Sequence, residues 1–304
     1  MNKIKKLGLT ALAGSMVATS VVAEDLSVTG SWSWSWDSKD SDESQNPMSM
    51  GDSVTFKVSG ETDQGWEATG NWELDGGSFD DTWLTLDFGD GGDLKYGGTS
   101  VGGRGIGLVS NLIPYADTKV FSATAEAGDE LGVARGASGT DNLSYHLDVG
   151  DIAIEAEVHK GAGTSTSWGV KYTGIEGLTL GLGSSDKTPG ATTGGIDSDT
   201  IGAKYAISGF ELGYQVTTVD KSASDEDAVM YGASFAVNDD LTISYGRQTV
   251  EIQGKASDEI NSGFSASYTM GSMDIGAYVN KTENVSGAST NDDEGKGITV
   301  SLSF

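Results

Sequence analysis

Apolar and polar residues take turns through most of this chain, in runs too short for helices and too numerous to be coincidental. From Leu26 to Asp37 the even positions Leu26, Val28, Trp32, Trp34 and Trp36 are apolar, while Ser27, Thr29, Ser31, Ser33 and Ser35 fill the odd ones. A period of two belongs to a strand with one greasy and one wet face. It recurs at Val54-Phe56-Val58, at Trp66, Ala68, Trp72 and Leu74, and at Leu143-Tyr145-Leu147-Val149. It continues from Ile152 to Val158, Trp168 to Tyr172, Leu178 to Leu182, Ile201 to Ile207, Phe210 to Val216 and Val229 to Phe235. Leu241 to Tyr245, Phe264 to Met270 and Met273 to Val279 follow, and the chain ends on GITVSLSF, alternating out to Phe304. With the shorter runs Thr82–Phe88 and Leu94–Gly97, about sixteen strands are predicted. Helical spacing is convincing nowhere.

The connections carry a second signal. Long polar links such as SKDSDESQNPMSM, SDKTPGATTGGID and ENVSGASTNDDE alternate with tight ones such as Gly150-Asp151, Ser208-Gly209 and Gly271-Ser272, and DGGSFDD reads as an intermediate link on the long side. A sandwich has no reason to keep such an alternation. An up-and-down barrel crossing a membrane does, because its two rims face different compartments. With an even strand number the last strand pairs with the first and abolishes the edge, which in lipid would leave backbone groups unsatisfied. The expected fold is therefore all-β: a transmembrane antiparallel up-and-down β-barrel of about 16 strands.

Composition is consistent with that expectation. Lys3, Lys5 and Lys6 precede an apolar run from Leu7 to Val22, and Val21-Val22-Ala23 offers small residues, so residues 1–23 read as a secretory signal peptide and 24–304 as one barrel domain. Cleavage after Ala23 leaves 281 residues and removes three lysines, taking the net charge from −27 to about −30. So acidic a chain argues against nucleic acid as a partner and for a cation pathway. Cysteine is absent, which rules out disulfides and thiolate metal sites. Beyond the leader no window approaches the roughly 20 apolar residues of a spanning helix, whereas a spanning strand needs only about 9–11 with every second one apolar.

Leader, alternating strands, a long fifth connection and a terminal Phe together resemble the trimeric general-diffusion porins of Gram-negative outer membranes, closest to the short alphaproteobacterial type. The resemblance covers the whole mature chain. It implies an outer-membrane channel for small hydrophilic solutes and ions, a homotrimer joined near the first and last strands, and a terminal Phe304 read by the barrel-assembly machinery. It also implies that the fifth connection folds into the barrel and narrows it. That connection, residues 98–141, lies between strands 5 and 6 and brings apolar material to a wall in Leu108, Val109, Leu112, Ile113, Tyr115, Val120 and Phe121.

Within it, Asp117, Glu126, Asp129 and Glu130 are the candidate acidic face of a constriction. If the apolar parity points outward, Lys57, Lys95, Lys171 and Lys204 point inward as a sparse basic wall, among inward acids Glu67, Glu73, Asp87, Asp148, Glu155, Glu157, Glu211 and Asp274. The sequence departs here from the resembled family, whose constriction carries an arginine cluster: only Arg104, Arg135 and Arg247 are present. A net negative lumen predicts a weak cation preference. Catalysis is not expected. His146 and His159 are the only imidazoles, and Ser144, His146 and Asp148 point the same way on one strand without forming a nucleophile–base–orienter chain. No cofactor is expected. The acidic runs at Asp80-Asp81, at 225–227 and at 291–294 are oxygen donors suited to a structural Ca2+ or to divalent bridging of lipopolysaccharide. Two alternatives remain open: a channel selective for a cationic or zwitterionic nutrient, and an exported surface or adhesion protein in which the same strands form a sandwich.

Overall fold

The computed structural model describes residues 25–40, 47–97, 104–110, 112–115, 142–160, 164–187, 195–221 and 224–304. Among them sixteen strands follow in order. They are β1 (Asp25–Lys39), β2 (Met48–Glu61), β3 (Glu67–Asp75), β4 (Ser78–Asp87), β5 (Asp93–Gly97), β6 (Asn142–Val149), β7 (Ile152–Lys160) and β8 (Thr164–Ile175). The second half comprises β9 (Leu178–Lys187), β10 (Ile196–Ile207), β11 (Phe210–Lys221), β12 (Glu226–Ala236), β13 (Leu241–Ile252), β14 (Glu259–Met270), β15 (Met273–Glu283) and β16 (Asp293–Ser303). Each pairs antiparallel with its chain neighbours, and β1 pairs with β16, closing the barrel.

The seam accounts for the alternation at the chain's end. Trp32 lies opposite Leu302, Trp34 opposite Val300 and Trp36 opposite Ile298, so the outward parity of β1 meets that of β16. Beyond the first of these pairs the Gly30 and Phe304 backbones exchange both hydrogen bonds, at 2.8 and 3.0 Å. The Phe304 ring covers Gly30 so closely that a Cβ there would sit 2.5 Å from it. The final residue is thus part of the closing ladder.

Burial is inverted relative to a soluble protein. Large apolar side chains on the outward parity stand exposed, among them Leu26, Tyr214, Phe264, Val279 and, at 61%, Ile201. The inward parity is buried and polar, with Ser185, Thr200, Gln215, Asn261 and Thr282. A sandwich hides its aromatics between two sheets; this closed sheet turns them outward in a continuous band, as a lipid-facing barrel does. The sandwich alternative is set aside on that ground.

The rims follow the expected alternation with two exceptions. On the tight side β6–β7, β8–β9, β10–β11 and β14–β15 are joined by two residues each. On the other side, however, the β3–β4 link is only Gly76-Gly77 and the β7–β8 link only residues 161–163. Gly76 and Gly77 both take positive φ, 55° and 83°, the conformation of a two-residue hairpin turn. Ser78 and the residues after it consequently extend β4 where the polar composition of DGGSFDD suggests loop.

Candidate functional site

The fifth connection enters the barrel. Its leading limb forms a short 3-10 turn, Gly105–Val109, packed against β7 to β10 on the lumen side. The limb then crosses the wall as Leu112, Ile113 and Pro114, all buried. Of the apolar residues expected to pack there, Leu108, Val109, Leu112, Ile113 and Tyr115 do; Val120 and Phe121 lie outside the described residues.

The wall is shaped to receive this limb by glycines at inward positions. A Cβ at Gly181 would lie 2.7 Å from Val109 Cγ1, and one at Gly202 would lie 2.9 Å from Leu112 Cδ1. One at Gly213 would lie 2.5 Å from both the Leu112 oxygen and Pro114 Cδ, and one at Gly232 would lie 2.6 Å from Ile113 Cγ2. Strands β9 to β12 thus each omit a side chain where the loop passes. Between these glycines Gln215 on β11, fully buried, clasps the loop from below. Its Oε1 accepts the Leu112 N–H at 3.1 Å, and its Nε2 donates to the Ser110 carbonyl at 3.3 Å and to Thr200 Oγ1 at 3.0 Å. Met230, also fully buried, packs on Ile113. At the loop's entry Arg104 pairs with Asp93 of β5, Nη1 to Oδ1 at 2.5 Å. Its buried atoms make no hydrogen bond of good angle, so the contact is electrostatic.

All four candidate lysines point into the lumen, but they do not converge. Lys57 on β2 is exposed to it. Lys95 on β5 holds its Nζ 4.9 Å from the centre of the Trp83 ring, a cation–π contact on an aromatic that also faces inward. Lys171 shares a register row with Ala153 and Asp148, and Lys204 on β10 lies 3.5 Å from Glu211 Oε1. The expected basic wall is therefore dispersed, because these residues fall on β2, β5, β8 and β10, no two of which are neighbours in the barrel. Arg247 takes the outward parity beside Tyr245, as its strand predicts. The candidate acids Asp117, Glu126, Asp129 and Glu130, like Arg135 and the leader, lie outside the described residues.

His146 is spanned by two carboxylates, Glu155 Oε1 at 3.0 Å from Nδ1 and Asp148 Oδ2 at 3.2 Å from Nε2. Ser144 Oγ turns instead to the Lys95 carbonyl at 3.4 Å, so no serine–histidine relay forms. Among the described residues no three His, Asp or Glu side chains converge on a metal-sized site. The acidic runs are engaged locally: Glu226 pairs with Lys221 at 2.6 Å, Asp225 accepts the Lys221 N–H, and Asp292 lies 3.6 Å from Lys281.

A closed sixteen-stranded barrel with an apolar outside, a polar lumen and a chain segment folded inward against the lumen wall is the architecture of a pore. A sequence profile described as Gram-negative porin matches residues 8–304. The chain belongs to the Gram-negative porin family. No curated protein sequence matches it. Solved structures do, as folds. A loop-deletion form of OmpT from Vibrio cholerae aligns with TM-score 0.70 and 14% identity over 93% of this chain and 100% of its own. The anion-selective porin from Comamonas acidovorans gives 0.68 and 13% over 92% and 99%. OmpF of Salmonella typhi, solved with daunomycin, gives 0.64 and 14% over 93% and 98%. This porin is accordingly a multi-pass β-barrel of the Gram-negative outer membrane, with the family's role as a diffusion channel.

Sequence reading passes over Gln215, Met230 and Trp83. Each sits on the wet parity, where Gln is unremarkable and Met and Trp break the pattern. The glycines carried a usable signal: Gly169, Gly181, Gly183, Gly202, Gly213 and Gly232 all fall on the inward parity of consecutive strands.

Proposed function

We propose that this porin is a general-diffusion channel with a weak preference for cations, assembled as a homotrimer after removal of residues 1–23. The observation that carries the reading is the loop limb, residues 104–110 and 112–115, seated in its glycine trough, which lines a wall whose inward acids outnumber its dispersed lysines. Lys204 is offset by Glu211, and Lys95 is engaged by Trp83. Sign is not a property of the fold, since the Comamonas porin of the same architecture is anion-selective. Trp32, Trp34 and Trp36 beside the seam are the natural contact for neighbouring protomers, and Phe304 for the barrel-assembly machinery. Outward Asp186, Asp197 and Asp220 face one another across β9, β10 and β11, a placement suited to divalent bridging of lipopolysaccharide phosphates.

Planar-bilayer reversal potentials under a salt gradient test the sign. The potential is expected on the cation side, shrinking as salt rises because the screening length falls from about 10 Å at 0.1 M to about 3 Å at 1 M. Asp129→Asn with Glu130→Gln is expected to weaken it, and channels are expected to insert in groups of three. A clear anion preference would assign control to Lys57, Lys95, Lys171 and Lys204.

A further inference from the structure

On the lumen face, strands β2 to β7 contribute one residue each to a single register row. Glu61 lies opposite Glu67, Glu67 opposite Asp87, Asp87 opposite Asp93, Asp93 opposite His146, and His146 opposite Glu155. The row starts at the tight-turn mouth, where β2, β3, β4 and β5 end or begin, and reaches the loop seam at Glu155. Side chains directly opposite in antiparallel strands are about 4.5–5.5 Å apart at Cβ, and like charges placed so destabilise the sheet. Elsewhere the inward parity is mostly Ser, Thr, Asn and Gly, so packing does not call for five acids in line.

Their side-chain nitrogen partners are confined to one end of the row. Asp93 has Arg104, and Glu155 has His146. Glu61, Glu67 and Asp87 are exposed to the lumen, and among the described residues none has a Lys or Arg within ion-pair distance. Glu67 takes only the Thr69 hydroxyl and Asp87 only the Gly89 N–H. At the far end Glu155 is 8% exposed, and its Oε2 is enclosed with no hydrogen-bond partner. Glu157, next on the same face of β7, likewise keeps Oε1 unpartnered. The row therefore runs from three open carboxylates to a buried Glu155 oxygen that lacks a donor, with a second such oxygen beside it on Glu157.

We infer that this row is the selectivity element of the pore: a carboxylate track on the wall that draws hydrated inorganic cations and small ammonium ions from the tight-turn mouth toward the loop seam. The inference rests on the pore reading above and places the larger share of the cation preference on β2, β3 and β4, beside the loop's contribution. Ions moving along a charged, low-dielectric wall feel that wall's charge more than charges scattered on a rim.

The test uses the full-length trimer in planar bilayers under a potassium chloride gradient. Glu61→Gln, Glu67→Gln and Asp87→Asn combined are expected to lower the potassium-to-chloride permeability ratio by roughly twofold or more at low salt. The charge-keeping set Glu61→Asp, Glu67→Asp and Asp87→Glu is expected to retain the wild-type ratio. Heat-modifiable migration on a gel checks that each variant is folded. A folded neutral triple variant with an unchanged ratio overturns the track while leaving the pore intact. Loss of preference in the charge-keeping set as well, or an anion-preferring wild type, also overturns it. A folded wild type that gives no conductance overturns the pore reading itself.

Discussion

Replacing Gln215 by Leu is expected to loosen the fifth connection from the inner wall while leaving the barrel closed. The side chain satisfies the Leu112 N–H and the Ser110 carbonyl and makes a third bond to Thr200. Removing it leaves two buried backbone groups of the loop unpartnered, at about 1–3 kcal/mol each. The strand itself keeps its ladder, because β11 pairs with β10 and β12 through backbone alone. Open-channel current noise is expected to rise and larger solutes to pass. Gly213→Val attacks the same seat differently, by placing methyl groups where the loop runs; overpacking of this kind costs about 1–3 kcal/mol. Its Cβ alone would come within 2.5 Å of the loop backbone at Leu112. Should both variants keep the wild-type noise and size limit, the limb 104–115 is not part of the constriction.

Replacing Ile201 by Arg is expected to be costly even though Ile201 is 61% exposed in the isolated chain. For a soluble protein an exposed substitution of this kind changes stability by at most about 0.5 kcal/mol. On the lipid face of a barrel, Arg near the midplane costs about 2–4 kcal/mol. Ile201 lies midway along β10, flanked across the sheet by Leu182 and Val216. Folding titrations into detergent micelles or vesicles measure the difference, and a variant as stable as the wild type would deny that this face meets lipid. The inward neighbour Thr200→Ser is the matched control.

The particulars explain what the sequence could and could not reveal. Strand number and closure were legible because every spanning strand must alternate and an even count must close; Ile298, Val300 and Leu302 report the lipid face without any partner being known. The loop's position was legible from length alone, since 44 residues separate Gly97 from Asn142. Register was not legible. Whether Lys57 and Lys95, three strands apart, share one row or lie at different heights depends on which residues pair, and that follows from the turns: a two-residue turn at Gly76-Gly77 moves β4 relative to what a longer link allows. The carboxylate row is a product of register, which is why its individual acids read as scattered along the chain; the glycines show their inward parity in the sequence, but not the loop they receive. Gln215 was invisible for a further reason: its role depends on a loop distant in sequence, and no local pattern marks it.

The central claim is that hydrophilic solutes pass through this barrel down their gradients, and liposome swelling measures it directly. Vesicles reconstituted with the folded protein are predicted to swell in isosmotic sugars at rates that fall smoothly with solute size and do not discriminate between sugars of equal size. Vesicles that hold heat-modifiable, membrane-inserted protein and yet do not swell, or that swell only for one of two equal-sized sugars, would contradict it.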